Sequence, residues 1–275
     1  MACLGSVFRI LSVVSSRKVT GPELAERDII KQHYLMYSRA ACAVSVSDLN
    51  ISDEGKAVFE SAFGRTWEHE VSAGRIITTA TLLNEKGLNV HQLFDLWIAQ
   101  FAARKTAKIQ DGLLMAFLEE LDCYCINAFY SAMEDNFYHP ETHIDYYVLE
   151  FDPEAVSWEQ FRKKILGSTD ASKADPDSFR GQLYAQYNVE FPGRDNFVHG
   201  SAGPFEGFVE RAIHEADFDM NTNPVGAYLE GRGVSLESFA DWKASQSLSA
   251  LGALFDATEE KNTDEVLDIL GESFS

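Results

Sequence analysis

Asn196-Phe197-Val198-His199-Gly200-Ser201 is the stretch on which the reading of this chain turns. A histidine with an apolar pair behind it, a glycine and a hydroxyl after it and an amide three residues before it has the form of a presented side chain. Histidine is the side chain whose ordinary pKa, about 6.5, leaves a large neutral fraction at cell pH, so its ring can serve as a nucleophile. Neutral imidazole can accept a phosphoryl group. A lone His-Gly-Ser is also what an ordinary turn contains, so the surroundings must decide.

Working outward, Ile165-Leu166-Gly167-Ser168-Thr169 precedes a Pro-bearing loop from Asp170 to Asp177, followed by Arg180-Gly181. Gly193-Arg194-Asp195-Asn196 leads into the histidine stretch, and a helix carrying Glu210 follows it. Further upstream, Phe8 to Tyr34 reads as a strand and a helix ending in Lys31-Gln32-His33-Tyr34. This succession resembles the nucleoside diphosphate kinase family, whose order is Leu-Gly-x-Thr, a Pro-containing loop, Arg-Gly-Asp, Gly-Arg-Asn, then x-x-His-Gly-Ser and an acid-bearing helix. The likeness covers roughly two fifths of the chain, and its strength lies in several short motifs in the right order.

The resemblance implies an α+β fold with a ferredoxin-like sheet, and a ping-pong transfer of the terminal phosphoryl group from a nucleoside triphosphate to a nucleoside diphosphate. His199 would be the nucleophile, Glu210 the acid that orients its ring and Ser201 the neighbouring hydroxyl. Tyr34 would shape the nucleotide pocket, Thr169 and Arg180 would contact phosphate, and Asn196 would contact the ribose. Lys163 falls on the position of a phosphate-binding arginine, with Arg162 serving after a one-residue shift. Mg2+ would arrive with the nucleotide and take few protein ligands. A homo-oligomer is among the expected partners, as are nucleoside triphosphates and diphosphates.

The chain also departs from the family. No Lys-Pro-Asp-Gly or Lys-Pro-Asn-Gly segment is present, although the first, central strand of the family's sheet ends there. Ala202 stands where an Asp follows the serine, and Gln182 follows Arg180-Gly181 where the family has Asp. A missing central strand leaves interior backbone groups unpaired, which is costly. The expectation is therefore an incomplete gene model, or another segment filling the gap.

Length and composition set the frame. The 275 residues can bury a substantial core in one or two domains. A formal charge of -20 excludes a surface that wraps nucleic acid, and a nucleotide site must then be a local basic island. Arg162, Lys163, Lys164, Arg180 and Arg194 supply one. Cys3, Cys42, Cys123 and Cys125 follow no disulfide or zinc spacing, which points to a reducing compartment and a cytoplasmic location, or an organelle if the N-terminus is incomplete. No apolar run is long enough to span a bilayer, so no membrane partner is expected. His139 and His143 are four apart, but Pro140 between them disfavours the helix that would align them on a metal.

The domain reading is 1–37 as the first part of the kinase-like domain, 38–143 as an inserted all-α bundle, 144–220 as the remainder with the active histidine, and 221–275 as an acidic helical tail. Phe8 to Val14 reads as a strand covered on both faces, and Thr20 with Glu23 as a capping box opening a helix to about Tyr37. Within the insert, Leu93, Phe94, Trp97, Ile98 and Phe101 form one helical stripe and Ile109, Leu113, Phe117 and Leu121 another, with Cys123 and Cys125 in a further helical pattern. After it, Ile144 to Phe151 reads as a strand, Ser157 to Gln160 as a capping box, Leu183 to Val189 as a strand or extended arm and Phe205 to Glu215 as a helix. Two readings compete with the enzyme. One is a catalytically impaired pseudo-kinase that binds nucleotide or a protein partner without transfer, the helical insert being its interaction surface, and the other is a helical scaffold on which the histidine motif is a relic.

Overall fold

The computed structural model describes residues 11–189 and 197–274. In chain order the elements are β1 (Leu11–Thr20), α1 (Gly21–Glu26), α2 (Ile29–His33), α3 (Leu35–Cys42), α4 (Asp53–Phe63), α5 (Trp67–Ser72), β2 (Ile76–Thr78), α6 (Thr79–Lys86), α7 (Val90–Ala102), β3 (Thr106–Gln110), β4 (Leu113–Leu118), β5 (Cys123–Ile126) and α8 (Ala128–Tyr138). They continue as β6 (His143–Phe151), α9 (Trp158–Gln160) running into a π-helical turn (Phe161–Leu166), α10 (Phe179–Gln186), α11 (Pro204–His214), α12 (Pro224–Glu230), α13 (Leu236–Ser245), α14 (Leu248–Thr258) and α15 (Thr263–Ser273). The class is α+β. The chain divides into one unit of Met1–Arg17, Asp145–Ser245 and Leu254–Ser275 and another of Lys18–Ile144 and Gln246–Ala253. These divisions differ from 37/38 and 220/221: α1 to α3 belong with the middle of the chain, and the tail from 221, apart from Gln246–Ala253, belongs with the histidine unit.

The Lys18–Ile144 unit holds a four-stranded sheet of order β2-β5-β4-β3, with β2 parallel to β5 and the other pairs antiparallel. Its side chains alternate with period 2, as a pleated sheet requires. Ile76, Ile109, Leu113, Met115, Tyr124 and Ile126 join Phe59 of α4 and Trp67 of α5 on one face. Ala116, Leu118, Cys123 and Cys125 join Leu82 of α6 and Leu93 and Trp97 of α7 on the other. The expected all-α insert is thus corrected. Ile109, Leu113, Phe117 and Leu121 are spaced by four, which suits a helical stripe but is also a multiple of the strand period, and a sheet covered on both faces satisfies it. Cys123 and Cys125 are buried on a strand and not in the expected helical pattern, and burial pushes the thiols up to about 11 for Cys123 and about 12 for Cys125.

One polar group ties this sheet's hairpin to the helices. Asn127 is fully buried; its Oδ1 accepts from the Leu114 N–H at 2.8 Å, and its Nδ2 donates to the carbonyls of Gly112 at 2.7 Å and Tyr37 at 3.1 Å. The helix expected from Thr20 to Tyr37 is three short helices, broken where Asp28 takes a left-handed φ of 50° and again at Tyr34. Thr20 makes no side-chain cap.

In the histidine unit, β1 and β6 form a two-stranded sheet. Ser12 to Lys18 are exposed, so β1 is not the doubly covered strand that its branched residues suggested. Leu11, Val156 and Phe161 make a small cluster with Leu149, Phe151, Trp158 and Ile165. Of the strand or extended arm expected over Leu183 to Val189, Leu183 to Gln186 belong to helix α10 and Tyr187 is extended; the helix is opened by Ser178, whose hydroxyl accepts from the Gly181 N–H at 3.0 Å. A second core is aromatic: Phe208 lies edge-on to Phe239 with centroids 4.9 Å apart, and Phe205 meets both Phe239 and Phe255. Val225, Leu229, Val266 and Leu270 fill the remainder from α12 and α15. Among the described residues no helix is long and apolar enough to cross a membrane.

Candidate active site

The histidine turn, 197–203, runs from Phe197 to the start of α11. Phe197 sits at φ 63°, a conformation that costs a bulky residue roughly 1–2 kcal/mol and needs outside support. Arg180 supplies it. This side chain is 7% exposed; its Nε and Nη2 donate to the Val198 carbonyl at 3.1 and 2.5 Å, and Nη1 donates to the Gly167 carbonyl at 2.7 Å. A planar guanidinium can span two carbonyls in this way, whereas an ammonium cannot reproduce the fork.

The motif glycines have a steric cause. Gly167 lies at φ 89°, and a Cβ there would stand 2.1 Å from Ser178 Oγ; a Cβ on Gly181 would stand 2.0 Å from the Asp175 carbonyl oxygen. Both therefore let the Pro-bearing loop close down on α10 and carry Arg180 to the turn. Gly200 packs on Leu166.

Helix α11 brings up the acids. Gly203 at its N-cap has no side chain to offer, and Pro204 starts the first turn. Glu206 and Glu210 lie four apart and so share one face. Glu210 is the hub: its Oε1 accepts from His199 Nε2 at 2.6 Å and its Oε2 accepts from Ser201 Oγ at 2.5 Å. Because a carboxylate only accepts, Nε2 carries the proton, and the lone pair of the neutral ring is on Nδ1. Solvent reaches 44% of the His199 side chain, against 13% for Glu210. The protein still crowds the ring enough that burial pulls its pKa down, but the charge of Glu210, the hydrogen bond to it and the charge of Glu206 outweigh that effect. Despite opposition from Arg180, the ring stands above its ordinary value. Glu206 accepts from the Ala202 N–H. Burial, then the charge of Glu210, pushes it up to about 7, while the Ala202 hydrogen bond, His199 and Arg162 pull the other way.

The remaining expected contacts are distributed differently. Arg162 pairs with Glu259 at 2.9 Å, and Lys163 pairs with Glu159 at 2.7 Å and Glu260 at 2.9 Å. Thr169 is exposed, and its carbonyl accepts from Tyr184 Oη at 3.0 Å. Tyr34 lies in the Lys18–Ile144 unit, edge-on to His33 at 4.7 Å. Asn196 and Arg194 fall outside the described residues. Thus His199, Ser201 and Glu210 are brought together, and Arg180 reaches their turn through backbone carbonyls. Glu206 was not anticipated, although Pro204 followed by an acid at the third helical position is a helix-start pattern legible in sequence. The pairing of the tail acids Glu259 and Glu260 with the basic island was missed as well. The Glu260 N–H donates to the Ala202 carbonyl at 2.8 Å, which binds the tail to the histidine turn.

Compared with models of known protein families, with curated proteins and with solved structures, the chain matches none.

Proposed function

We propose that the histidine unit is a nucleoside diphosphate kinase-like phosphotransferase in which His199 carries the phosphoryl group. The observation that supports this most is the His199–Glu210–Ser201 arrangement, with Nε2 engaged and the nucleophilic lone pair assigned to Nδ1. Nδ1 attacks the terminal phosphorus of a nucleoside triphosphate, the bond to the bridging oxygen breaks, and the nucleoside diphosphate leaves with that electron pair. An oxygen of a second diphosphate then attacks the same phosphorus and the P–N bond breaks. As the first bond forms the ring becomes cationic, and Glu210 beside Nε2–H offsets that charge. Ser201 holds the carboxylate in place. In this reading β1 and β6 are part of a ferredoxin-like sheet.

Phosphoryl transfer depends on neutralising phosphate charge, and Mg2+ bound to the nucleotide would do part of this. Both carboxylates beside the ring are engaged by His199, Ser201 and Ala202, so the donor set suits an ion held by phosphate oxygens and water. A second reading, a pseudo-kinase that binds nucleotide or a protein partner without transfer, is favoured by one observation: Arg162 and Lys163 pair with acids and Arg180 is engaged on backbone carbonyls, so the cations expected to neutralise the transferred phosphate are occupied.

Incubation with ATP labelled at its terminal phosphate separates the two. The enzyme reading expects an acid-labile, base-stable label that is lost in His199→Ala and discharged by added nucleoside diphosphate. Nucleotide binding with no label supports the second reading.

A further inference from the structure

Glu206 stands at the third position of α11, one turn before Glu210, and its carboxylate reaches back past the N-cap to the Ala202 N–H. Ala202 stands at the position where the resemblance calls for an acid, and Gly203 cannot cap. A carboxylate from the next turn therefore closes the helix start. The two acids on this face engage successive parts of one turn: Glu210 takes His199 and Ser201, and Glu206 takes Ala202. The charged groups acting on Glu206 are Glu210 from its own helix, His199 from the turn and Arg162 from the π-helical turn, while Arg180 of α10 acts on the His199 ring.

We propose that Glu206 is a positioning residue for His199, fixing the turn through the Ala202 N–H and setting by its charge how much of the ring is neutral and able to accept a phosphoryl group. Burial and the charge of Glu210 push the Glu206 carboxyl up to about 7, and the His199 ring is also held above its ordinary value. Below that pH Glu206 is neutral and leaves the ring alone. Above it the new negative charge favours the imidazolium, so the neutral form accumulates over a wider pH span than one isolated group would give. Only the kinetic consequence rests on His199 being a phosphoryl carrier.

The test is an imidazole 15N NMR titration of His199 in the full chain, in wild type, Glu206→Gln and Glu206→Ala, with hydrogen exchange at the Ala202 amide. Gln keeps an acceptor for that amide and drops the charge. The expected results are a Glu206→Gln curve that is narrower and displaced to lower pH with Ala202 protection held, and a loss of protection of about tenfold in Glu206→Ala. A Glu206→Gln curve superimposing on wild type overturns the charge role, and unchanged protection in Glu206→Ala overturns the positioning role. If Glu206→Ala fails to fold, the Glu206→Gln curve still decides. The titration reads out whether or not phosphate is transferred. Labelling at His199 with a curve indifferent to Glu206 sinks this proposal alone, and a displaced curve with no labelling sinks only the kinase reading.

Discussion

The sheet of the Lys18–Ile144 unit and the histidine turn of the other unit are ordered by opposite means. The sheet is held by non-directional burial, each strand sending alternate residues into one of two apolar clusters. The turn is held by a few directional contacts: a guanidinium on two carbonyls, a carboxylate shared by an imidazole and a hydroxyl, and an acid on one backbone N–H. Loss of volume should damage the first in a graded way. Loss of a single atom should damage the second.

The largest expected effect breaks the sheet. Trp97 is 2% exposed, and Trp97→Ala should cost about 3–5 kcal/mol in urea unfolding of that unit. A loss under 1 kcal/mol would mean that the cluster does not carry the fold. Next comes the turn. Arg180→Lys keeps the charge but loses the fork, so roughly 1–3 kcal/mol of stability should go with it, because buried carbonyls lose donors. A lysine variant as stable as wild type contradicts the clamp.

A pH series sharpens the contrast. His199 and Glu206 both have raised folded pKa values, and a raised group stabilises the fold below its unfolded pKa and loses that contribution as pH rises through the folded one. Stability of the histidine unit should therefore fall between the ordinary carboxyl range and about 7, the value to which Glu206 is pushed. The fall should continue until the ring has lost its proton, with Glu206→Gln flattening the lower part by on the order of 1 kcal/mol. An identical slope in wild type and variant, measured by thermal melts across pH, would exclude the linkage. The smallest effect concerns the tail: Glu259→Gln with Glu260→Gln removes solvent-screened ion pairs and should leave stability nearly unchanged. The freed cations should tighten nucleotide binding a few-fold by calorimetry, and unchanged affinity would exclude the tail as a competitor.

The same contrast explains what could be read beforehand. Leu93 and Trp97 on α7 were legible because their spacing fits a helix, and the 13 residues from Val90 to Ala102 are too many for an ordinary strand. The strands at Thr106 to Leu118 were not, because an interval of four serves both periods, and the only local sign of a hairpin is the turn pair Asp111-Gly112 between them. At the site, Gly167, Arg180, His199, Ser201 and Glu210 stood out through their order along the chain. What Arg180 does was invisible, because a basic residue near a histidine looks the same in sequence whether it faces phosphate or two carbonyls. Glu206 is legible as a helix-start acid, but acids are common in a first turn, so its contact with the Ala202 N–H does not show in sequence. Glu259 and Glu260, which pair with Arg162 and Lys163, lie about a hundred residues downstream, beyond any local pattern, whereas the Lys163–Glu159 pair is local.

The most direct measurement is the chemical identity of the phosphorylated residue after incubation with nucleoside triphosphate, resolved by 31P NMR. With Nε2 committed to Glu210, the account predicts a phosphoramidate on Nδ1 of His199. A phosphoryl group on Nε2, on another residue, or on none would contradict it.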